Sequence, residues 1–133
     1  DVYKRQLQML FIQVVLLTFF TSNQNDNLQR IIESFNLMNS NEIISHFNES
    51  IQISIDGKTY SENSYKSSIL LDDFFNSNDI DSFNMIHRGK SGTSLTYVIG
   101  EYLSDKKIYK ILIFVDTKKS GNKIREIKID QKE

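Results

Sequence analysis

Cysteine does not occur in this sequence of 133 residues, and its absence removes several classes of function. Without thiols there is no disulfide framework, no cysteine nucleophile and no cysteine ligand for a metal. A bacterial lipoprotein anchor needs a cysteine at its cleavage site, so that route to a membrane is excluded too. Proline is also absent, while asparagine, isoleucine, lysine and serine are abundant. We attribute this bias to genomic base composition rather than to function.

An excess of charge of either sign is lacking as well. The formal net charge is -1, which argues against a dedicated nucleic-acid binder. The charges are unevenly distributed, since residues 24–87 hold ten acidic and three basic side chains, whereas residues 88–133 hold six acidic and eleven basic ones. We interpret the two halves either as solvated faces of a domain, or as surfaces that attract another subunit head to tail or an anionic partner.

Motifs that carry known chemistry are scarce too. The chain has no Gly-rich phosphate loop, no internal repeat and no Ser-His-Asp arrangement with a nucleophile elbow. Its two histidines, His46 and His87, are far apart in sequence, so neither a metal site nor another cofactor is predicted. Asp72 and Asp73 are adjacent on a predicted helix, where neighbouring side chains point about 100° apart, and we interpret them as solvated.

An apolar run near the N-terminus is the clearest positive signal. Lys4 and Arg5 precede the run, which extends over residues 7–20, and the small polar residues Thr21 and Ser22 follow it. This order predicts a secretory signal peptide. The run is short and interrupted by glutamine, so a stable membrane span is not expected. An amphipathic or buried first helix is the alternative interpretation.

We therefore predict that residues 1–23 form a signal peptide that is removed on export to the periplasm or cell envelope. The mature N-terminus is then expected between Thr21 and Asn25, which the intact mass of the envelope-extracted protein would check. Residues 24–133 are the length of one domain and are predicted to form a single one.

Hydrophobic periodicity divides residues 24–133 into helices and strands. Asn39 and Ser40 are cap residues for the second helix, and Ser61 is the predicted cap of the third. The first predicted elements are a helix to about Asn39 and a short helix carrying Ile43, Ile44 and Phe47. A strand over residues 51–55 follows, which ends in the turn Asp56-Gly57 with a short return through Thr59 and Tyr60. The remaining predicted elements are a helix over residues 62–76 and strands around residues 83–87, 95–103, 108–115 and 124–129.

This order, α-α-β-α-β-β-β-β, predicts an α+β fold in which a curved antiparallel sheet of four to five strands wraps around helices. The apolar run Ile108–Val115 is expected to be a central strand covered on both faces. In the last strand the spacing of three isoleucines breaks strict alternation and predicts a bulge near Arg125 and Glu126. Gly100 is expected to permit a bend or bulge in its own strand.

Several short segments occur in an order that resembles a known family. They are Tyr60-Ser61 before the third helix, Ile69-Leu70 and Phe74-Phe75 within it, Phe83-x-x-x-His87-x-Gly89 on the next strand and Tyr97-x-Ile99-Gly100 on the one after. Over Leu28 to Asp130 the chain resembles a family of short, uncharacterised, exported bacterial proteins of the nuclear-transport-factor-two-like superfamily. The resemblance implies export and a cone-shaped, cystatin-like fold with a pocket between sheet and helices, but no established activity.

His87 is the candidate catalytic residue. It alternates with Phe83 and Met85 along one strand and is therefore expected to face the interior of the cone. A pocket histidine can act as a general base near neutral pH, and the resemblance to cone-fold isomerases and dehydratases implies such a role. The alternative is a structural histidine that is hydrogen-bonded at the sheet. The residues predicted to line a pocket are Tyr60, Tyr65, Phe83, His87 and Tyr97, and the tyrosines are equally interpreted as core aromatics with a solvated hydroxyl.

Two functions of different classes follow. The first is a non-enzymatic binding or protein-interaction module that forms a homodimer through the outer sheet face or takes a small apolar ligand in the cone. It rests on the apolar run, in which Tyr109, Ile111, Ile113 and Val115 alternate with Ile108, Leu112 and Phe114. Both faces of the strand are therefore apolar, and the face that does not meet the helices is expected to meet another surface, such as a second copy of the chain. The second is a small pocket enzyme with isomerase- or dehydratase-like acid–base chemistry at His87, which rests on fold analogy. A filled interior favours the first function, and an open pocket with His87 beside a carboxylate favours the second.

Overall fold

The computed structural model describes residues 2–7, 24–118 and 121–133. Residues 2–7 are helical and form α1. The rest of the predicted signal peptide, residues 8–23, lies outside the described residues. Of the helices that are described, none is both long and apolar enough to cross a membrane. The signal peptide and export therefore stay predictions.

Three further helices are α2 (Gln24–Asn36), α3 (Ser40–Ser45) and α4 (Ser64–Asn78). Asparagine caps two of them: Asn39 Oδ1 accepts a hydrogen bond from the Glu42 backbone N at 3.2 Å, and Asn63 Oδ1 accepts one from the Lys66 backbone N at 3.0 Å. The cap of α3 is thus among the residues predicted. Ser61 was the wrong cap for α4, because residues 61–63 pair as a strand and the helix begins after them.

Six strands form one sheet in the described residues, in the order β2-β1-β6-β5-β4-β3. They are β1 (Phe47–Ile55), β2 (Lys58–Asn63), β3 (Ile80–Ser91), β4 (Leu95–Ser104), β5 (Lys107–Asp116) and β6 (Lys123–Gln131). Neighbouring strands are antiparallel except β1 and β6, which are parallel. The α+β class is confirmed, but the predicted strand count, the strand order and the purely antiparallel pairing are wrong.

The extra strand and the parallel pair each have a physical reason. The return after Asp56-Gly57 is a full edge strand, because β2 pairs with β1 from Ile55–Lys58 to Ser50–Asn63 although most of its side chains are exposed. The parallel pair joins strands from opposite ends of the domain, so no local pattern reveals it. At its far end the Gln131 backbone N donates to Asp56 Oδ1 at 2.9 Å, across 75 residues of sequence.

A bulge interrupts β6 where it was predicted. Phe114 lies opposite Glu126, whereas Val115 lies opposite Ile124, so Arg125 is an extra residue on β6. The bulge keeps the isoleucines on both sides of it facing the core.

A second bulge interrupts β3. Met85 lies opposite Gly100 and His87 opposite Ile99, so Ile86 is the extra residue. The irregularity expected at Gly100 is therefore a bulge on the neighbouring strand. One extra residue exchanges the two faces of every later position on β3.

The helices cover one face of the sheet, here called the core face. In that layer α4 packs against β1 and β2, α2 packs against β3, and α3 contacts both helices. Along β5 the core-facing side chains Tyr109, Ile111, Ile113 and Val115 are buried. The alternate positions point to the opposite, outer face, where Ile108 is 41% exposed. The central strand was predicted correctly, but no described element covers its outer face.

Candidate functional site

Aromatic side chains fill the interior between the helices and the sheet. Six rings touch one another in succession, with adjacent centroids 5.1 to 5.9 Å apart. This aromatic chain consists of Phe35, Phe83, Tyr102, Phe75, Phe74 and Tyr109. Neither of the two cavities described below is lined by any of these residues. Among the described residues, the aromatic chain therefore fills space between the helices and the sheet where the resemblance implied a pocket.

The two tyrosines of the aromatic chain differ in their hydroxyl groups. The Tyr109 hydroxyl donates a hydrogen bond to Asn78 Oδ1 at 2.7 Å. The Tyr102 hydroxyl is buried and has no hydrogen-bond partner among the described protein atoms. Burial raises the pKa of Tyr102 well above its ordinary value, so this phenol stays protonated near neutral pH.

His87 lies on the outer face of the sheet, which corrects the expectation that it faces the interior. The bulge at Ile86 puts His87 opposite Ile99, whose strand neighbour Val98 is the core-facing residue. The His87 ring contacts Tyr97, with centroids 5.8 Å apart and the Tyr97 hydroxyl 3.4 Å from Nε2. In the part of the chain that is described, no carboxylate lies within ion-pair distance of this imidazole.

The other predicted pocket residues do not converge. Phe83 is buried in the aromatic chain, and Tyr97 lies on the outer face across Gly89, where a side chain would overlap its ring. Tyr60 belongs to the edge strand β2, with Lys58 Nζ 5.6 Å from its ring centroid. Tyr65 is 73% exposed on α4. Of the five predicted residues, only His87 and Tyr97 are brought together.

Tyr65 is exposed because α4 turns another part of its surface to the core. The residues that α4 buries are Ser67, Leu71 and Phe74, while Tyr65 and Ile69 are exposed. Both sets recur at helical spacing.

His46, the second histidine, lies at the end of α3, on the helical layer. Its Nε2 is 3.6 Å from Glu42 Oε1 one helical turn away. Burial lowers the pKa of His46 below its ordinary value; Lys123 and Arg30 add to this effect, while Glu42 opposes it. Within the described ranges no cluster of three potential metal ligands occurs, at His46 or at any other position.

A cleft of about 560 Å³ opens at the end of the sheet where α2, the β3–β4 hairpin and the β5–β6 turn meet. We call it the basic cleft, and its lining residues are Leu28, Arg88, Gly89, Lys90, Thr93, Leu95, Thr96, Thr117, Lys118 and Asn122. Two hydrogen bonds join its walls, because the backbone N and the hydroxyl of Thr117 both donate to the Ser94 carbonyl, at 2.8 and 2.9 Å.

The outer face of β4 and β5 carries an apolar surface. Direct cross-strand partners there are Tyr97 with Phe114, Ile99 with Leu112, and Leu103 with Ile108. We call these six residues the outer patch; all are half-buried or exposed. Beside it a groove of about 300 Å³ passes between Gln52, Phe114 and the bulged Arg125.

Sequence reasoning found half of the outer patch and missed the basic cleft. Ile108, Leu112 and Phe114 were visible as an apolar second face of one strand. The cleft residues Arg88 and Lys90 alternate along β3 like any solvated pair, and only the bulge turns them to the core face. The excess of basic residues after His87 was the one signal that pointed to this region.

A family model described as a domain of unknown function, DUF4783, matches residues 28–130. The chain belongs to the DUF4783 family. This confirms the resemblance recognised over Leu28 to Asp130. No curated protein matches the chain.

Solved DUF4783 structures share the fold. The chain is 22% identical to the protein from Bacteroides uniformis, with a TM-score of 0.72, and the match covers 79% of this chain and 96% of that one. It is 24% identical to the Bacteroides fragilis protein, with a TM-score of 0.71 over 77% and 96% of the two chains. A nuclear-transport-factor-two-like protein of unknown function from Cytophaga hutchinsonii is 12% identical, with a TM-score of 0.59 over 84% and 92%. At these identities the likeness shows the fold alone.

Proposed function

We propose that this DUF4783 protein is a non-enzymatic protein-interaction module of the cell envelope that forms a homodimer through the outer patch. The observation that carries the proposal is the outer patch itself. Two of its apolar pairs, Tyr97 with Phe114 and Ile99 with Leu112, adjoin on β4 and β5, and the charged pair of Glu101 and Lys110 separates them from the third, on the face that the described helices leave uncovered. Burying these apolar side chains against a second protein removes them from water.

Charge favours a second copy of the chain as the partner. Around the patch the outer face carries charges of both signs, from the carboxylates Glu101, Glu126 and Asp130 and the cations Lys110, Lys128, Lys132 and the bulged Arg125. In a two-fold dimer the same surface meets itself, so a surface of one sign would repel its copy. Mixed charges reduce that repulsion and allow carboxylates of one subunit to face cations of the other.

The pocket-enzyme hypothesis receives no comparable support. It required an open interior with His87 beside a carboxylate, whereas the aromatic chain fills the interior and His87 lies outside it. A small apolar ligand in the cone meets the same obstacle. We therefore propose no catalytic residue.

Sedimentation velocity tests the dimer with a matched pair of variants. Ile108 in the outer patch and Ile69 on α4 are 41% and 44% exposed, so Ile108→Lys and Ile69→Lys place the same charge at equally exposed isoleucines. We expect the wild-type protein and Ile69→Lys to sediment as dimers. Ile108→Lys, and Leu112→Lys at the centre of the patch, should sediment as monomers.

A wild-type protein that is monomeric at every concentration measured would show that the homodimer is wrong. A dimer that survives both patch substitutions would move the interface to another surface.

A further inference from the structure

We propose that the basic cleft binds a small molecule through an anionic oxygen head group, a phosphate or a carboxylate. This site is separate from the outer patch, because the two share no residue and the cleft side chains Arg88, Lys90 and Thr96 lie on the core face.

The bulge at Ile86 brings two cationic side chains to the basic cleft. Without the extra residue, Arg88 and Lys90 would point to the outer face with the solvated side chains. With it, Arg88 lies opposite Val98 and Lys90 opposite Thr96, both of which are buried core-face residues. The core face thus changes from aromatic at Phe83 to cationic within a few residues.

The cleft concentrates unpaired positive charge. Its lining contains three cations, Arg88, Lys90 and Lys118, and no carboxylate. Elsewhere Lys66, Lys128 and Lys132 pair with glutamates, whereas none of the three cleft cations has a carboxylate within 4.0 Å in the described ranges. In a protein of net charge -1, such a group of cations with a common opening attracts anions.

The remaining lining suits an anionic head group on a small molecule. Arg88 has the planar donors that match two oxygens of a phosphate or carboxylate. Thr93 and Thr96 add hydroxyl donors, while Leu28 and Leu95 form an apolar wall. The volume of about 560 Å³ is within the range of small-molecule sites.

The cleft is also held in shape. The Lys118 backbone N donates to Asp116 Oδ1 at 3.0 Å, which holds the Lys118 backbone beside the end of β5. The double hydrogen bond from Thr117 to Ser94 joins the end of β5 to the β3–β4 hairpin. A preformed site loses less conformational freedom when a ligand binds.

The experiment titrates the whole protein with inorganic phosphate, phosphoserine and citrate, by calorimetry and by amide chemical shifts. We expect saturable binding of at least one probe, with shifts confined to the neighbourhood of Gly89, Thr96 and Lys118. Tighter binding of phosphate or phosphoserine would identify a phosphate head group as the source, and tighter binding of citrate a polycarboxylate.

The matched variants are Arg88→Gln/Lys90→Gln in the cleft and Lys106→Gln/Lys107→Gln at the opposite end of β4. Both remove two positive charges from exposed positions, so folding is expected to survive in both. The cleft variant should bind about tenfold or more weakly, as expected from the loss of charge-assisted hydrogen bonds, and the control should bind like the wild type. Equal weakening in both variants, or no binding of any probe at about 10 mM, would overturn the proposal, since such affinity is no better than diffuse attraction.

Discussion

At the residue scale, Tyr102 and Tyr109 show how similar side chains acquire different roles. Both are tyrosines of the aromatic chain, and both are buried. Tyr109 connects β5 to the end of α4 through Asn78, while the Tyr102 hydroxyl brings a polar group into the core without a protein partner. A buried polar group without a hydrogen bond costs stability, whereas a satisfied one contributes.

We therefore expect substitution by phenylalanine to change the free energy of unfolding differently at the two positions. Tyr109→Phe should lower the free energy of unfolding by about 1 kcal/mol, because Asn78 loses its donor. Tyr102→Phe should leave the free energy of unfolding unchanged or raise it by about 1 kcal/mol. Urea denaturation followed by circular dichroism measures both, and a Tyr102→Phe loss as large as that of Tyr109→Phe would show that the Tyr102 hydroxyl is satisfied.

Single residues also show which side-chain orientations could be predicted from the sequence. The central position of β5 was predictable from its apolar run, but both alternating sets of side chains are apolar, so the sequence did not show which set faces the helices. The orientation of His87 was not predictable, because it depends on a single extra residue. Met85 and Ile86 are both apolar and both exposed, so no change of polarity marks the bulge between them.

At the element scale, β3 and β4 are shaped by a close approach at Gly100. A Cβ atom there would overlap the ring of Phe83 and lie 3.1 Å from the Asn84 carbonyl oxygen. Glycine lets the Phe83 ring lie across β4 and reach Tyr102, with ring centroids 5.1 Å apart. The bulge at Ile86 begins directly beside this contact.

Gly100→Ala should therefore destabilise the protein by about 1 to 3 kcal/mol, the usual cost of overpacking a core. A double-mutant cycle with Phe83→Leu tests the cause, since a smaller side chain leaves room for the new methyl group. We expect Gly100→Ala to cost less free energy of unfolding in the Phe83→Leu protein than in the wild type. An equal cost in both backgrounds would exclude the ring as the reason.

Elements with a continuous apolar face were predictable, and elements without one were not. The bulge in β6 was located because isoleucines on either side mark the core face. The edge strand β2 was not predicted as a full strand because most side chains of Lys58–Asn63 are exposed, so the segment shows no apolar alternation. The start of α4 was misplaced for the same reason, since Ser61 reads as a helix cap until β2 is recognised.

At the scale of the whole molecule, His46 connects the helical layer to the sheet. Its carbonyl oxygen accepts a hydrogen bond from the Ile124 backbone N at 2.7 Å, and its half-buried ring lies under α3. Because burial lowers the pKa of His46 below 6.5, protons bind more tightly to the unfolded chain than to the folded one. The contribution of neutral His46 to the free energy of unfolding is therefore fully present above pH 6.5 and is lost as the pH falls below that value.

His46→Gln should remove part of the decrease in unfolding free energy between pH 7 and pH 5, while His87→Gln, which removes the other histidine, should retain it. Chemical denaturation at several pH values gives the comparison. Identical pH profiles for His46→Gln and the wild type would show that His46 does not contribute.

The family match confirms the predicted family, and the shared fold confirms the predicted α+β class. The strand order could not be predicted from the sequence. Pairing between β1 and β6 depends on contacts between distant segments, which periodicity within a segment does not encode. For the candidate sites, the outer patch was partly readable from one strand, while the basic cleft required three separate segments to meet.

The parallel pairing of β1 with β6 has a consequence for how the protein is made. A chain emerging from the ribosome holds the β1–β2 hairpin and the β3–β4–β5 meander as two separate pieces until the last strand appears. Within the sheet only β6 joins them, so the complete sheet forms after this strand has been made and requires closure of a loop of about 70 residues, a slow step compared with local pairing. Until β6 has paired with both β1 and β5, the two parts of the sheet share no hydrogen-bonded edge.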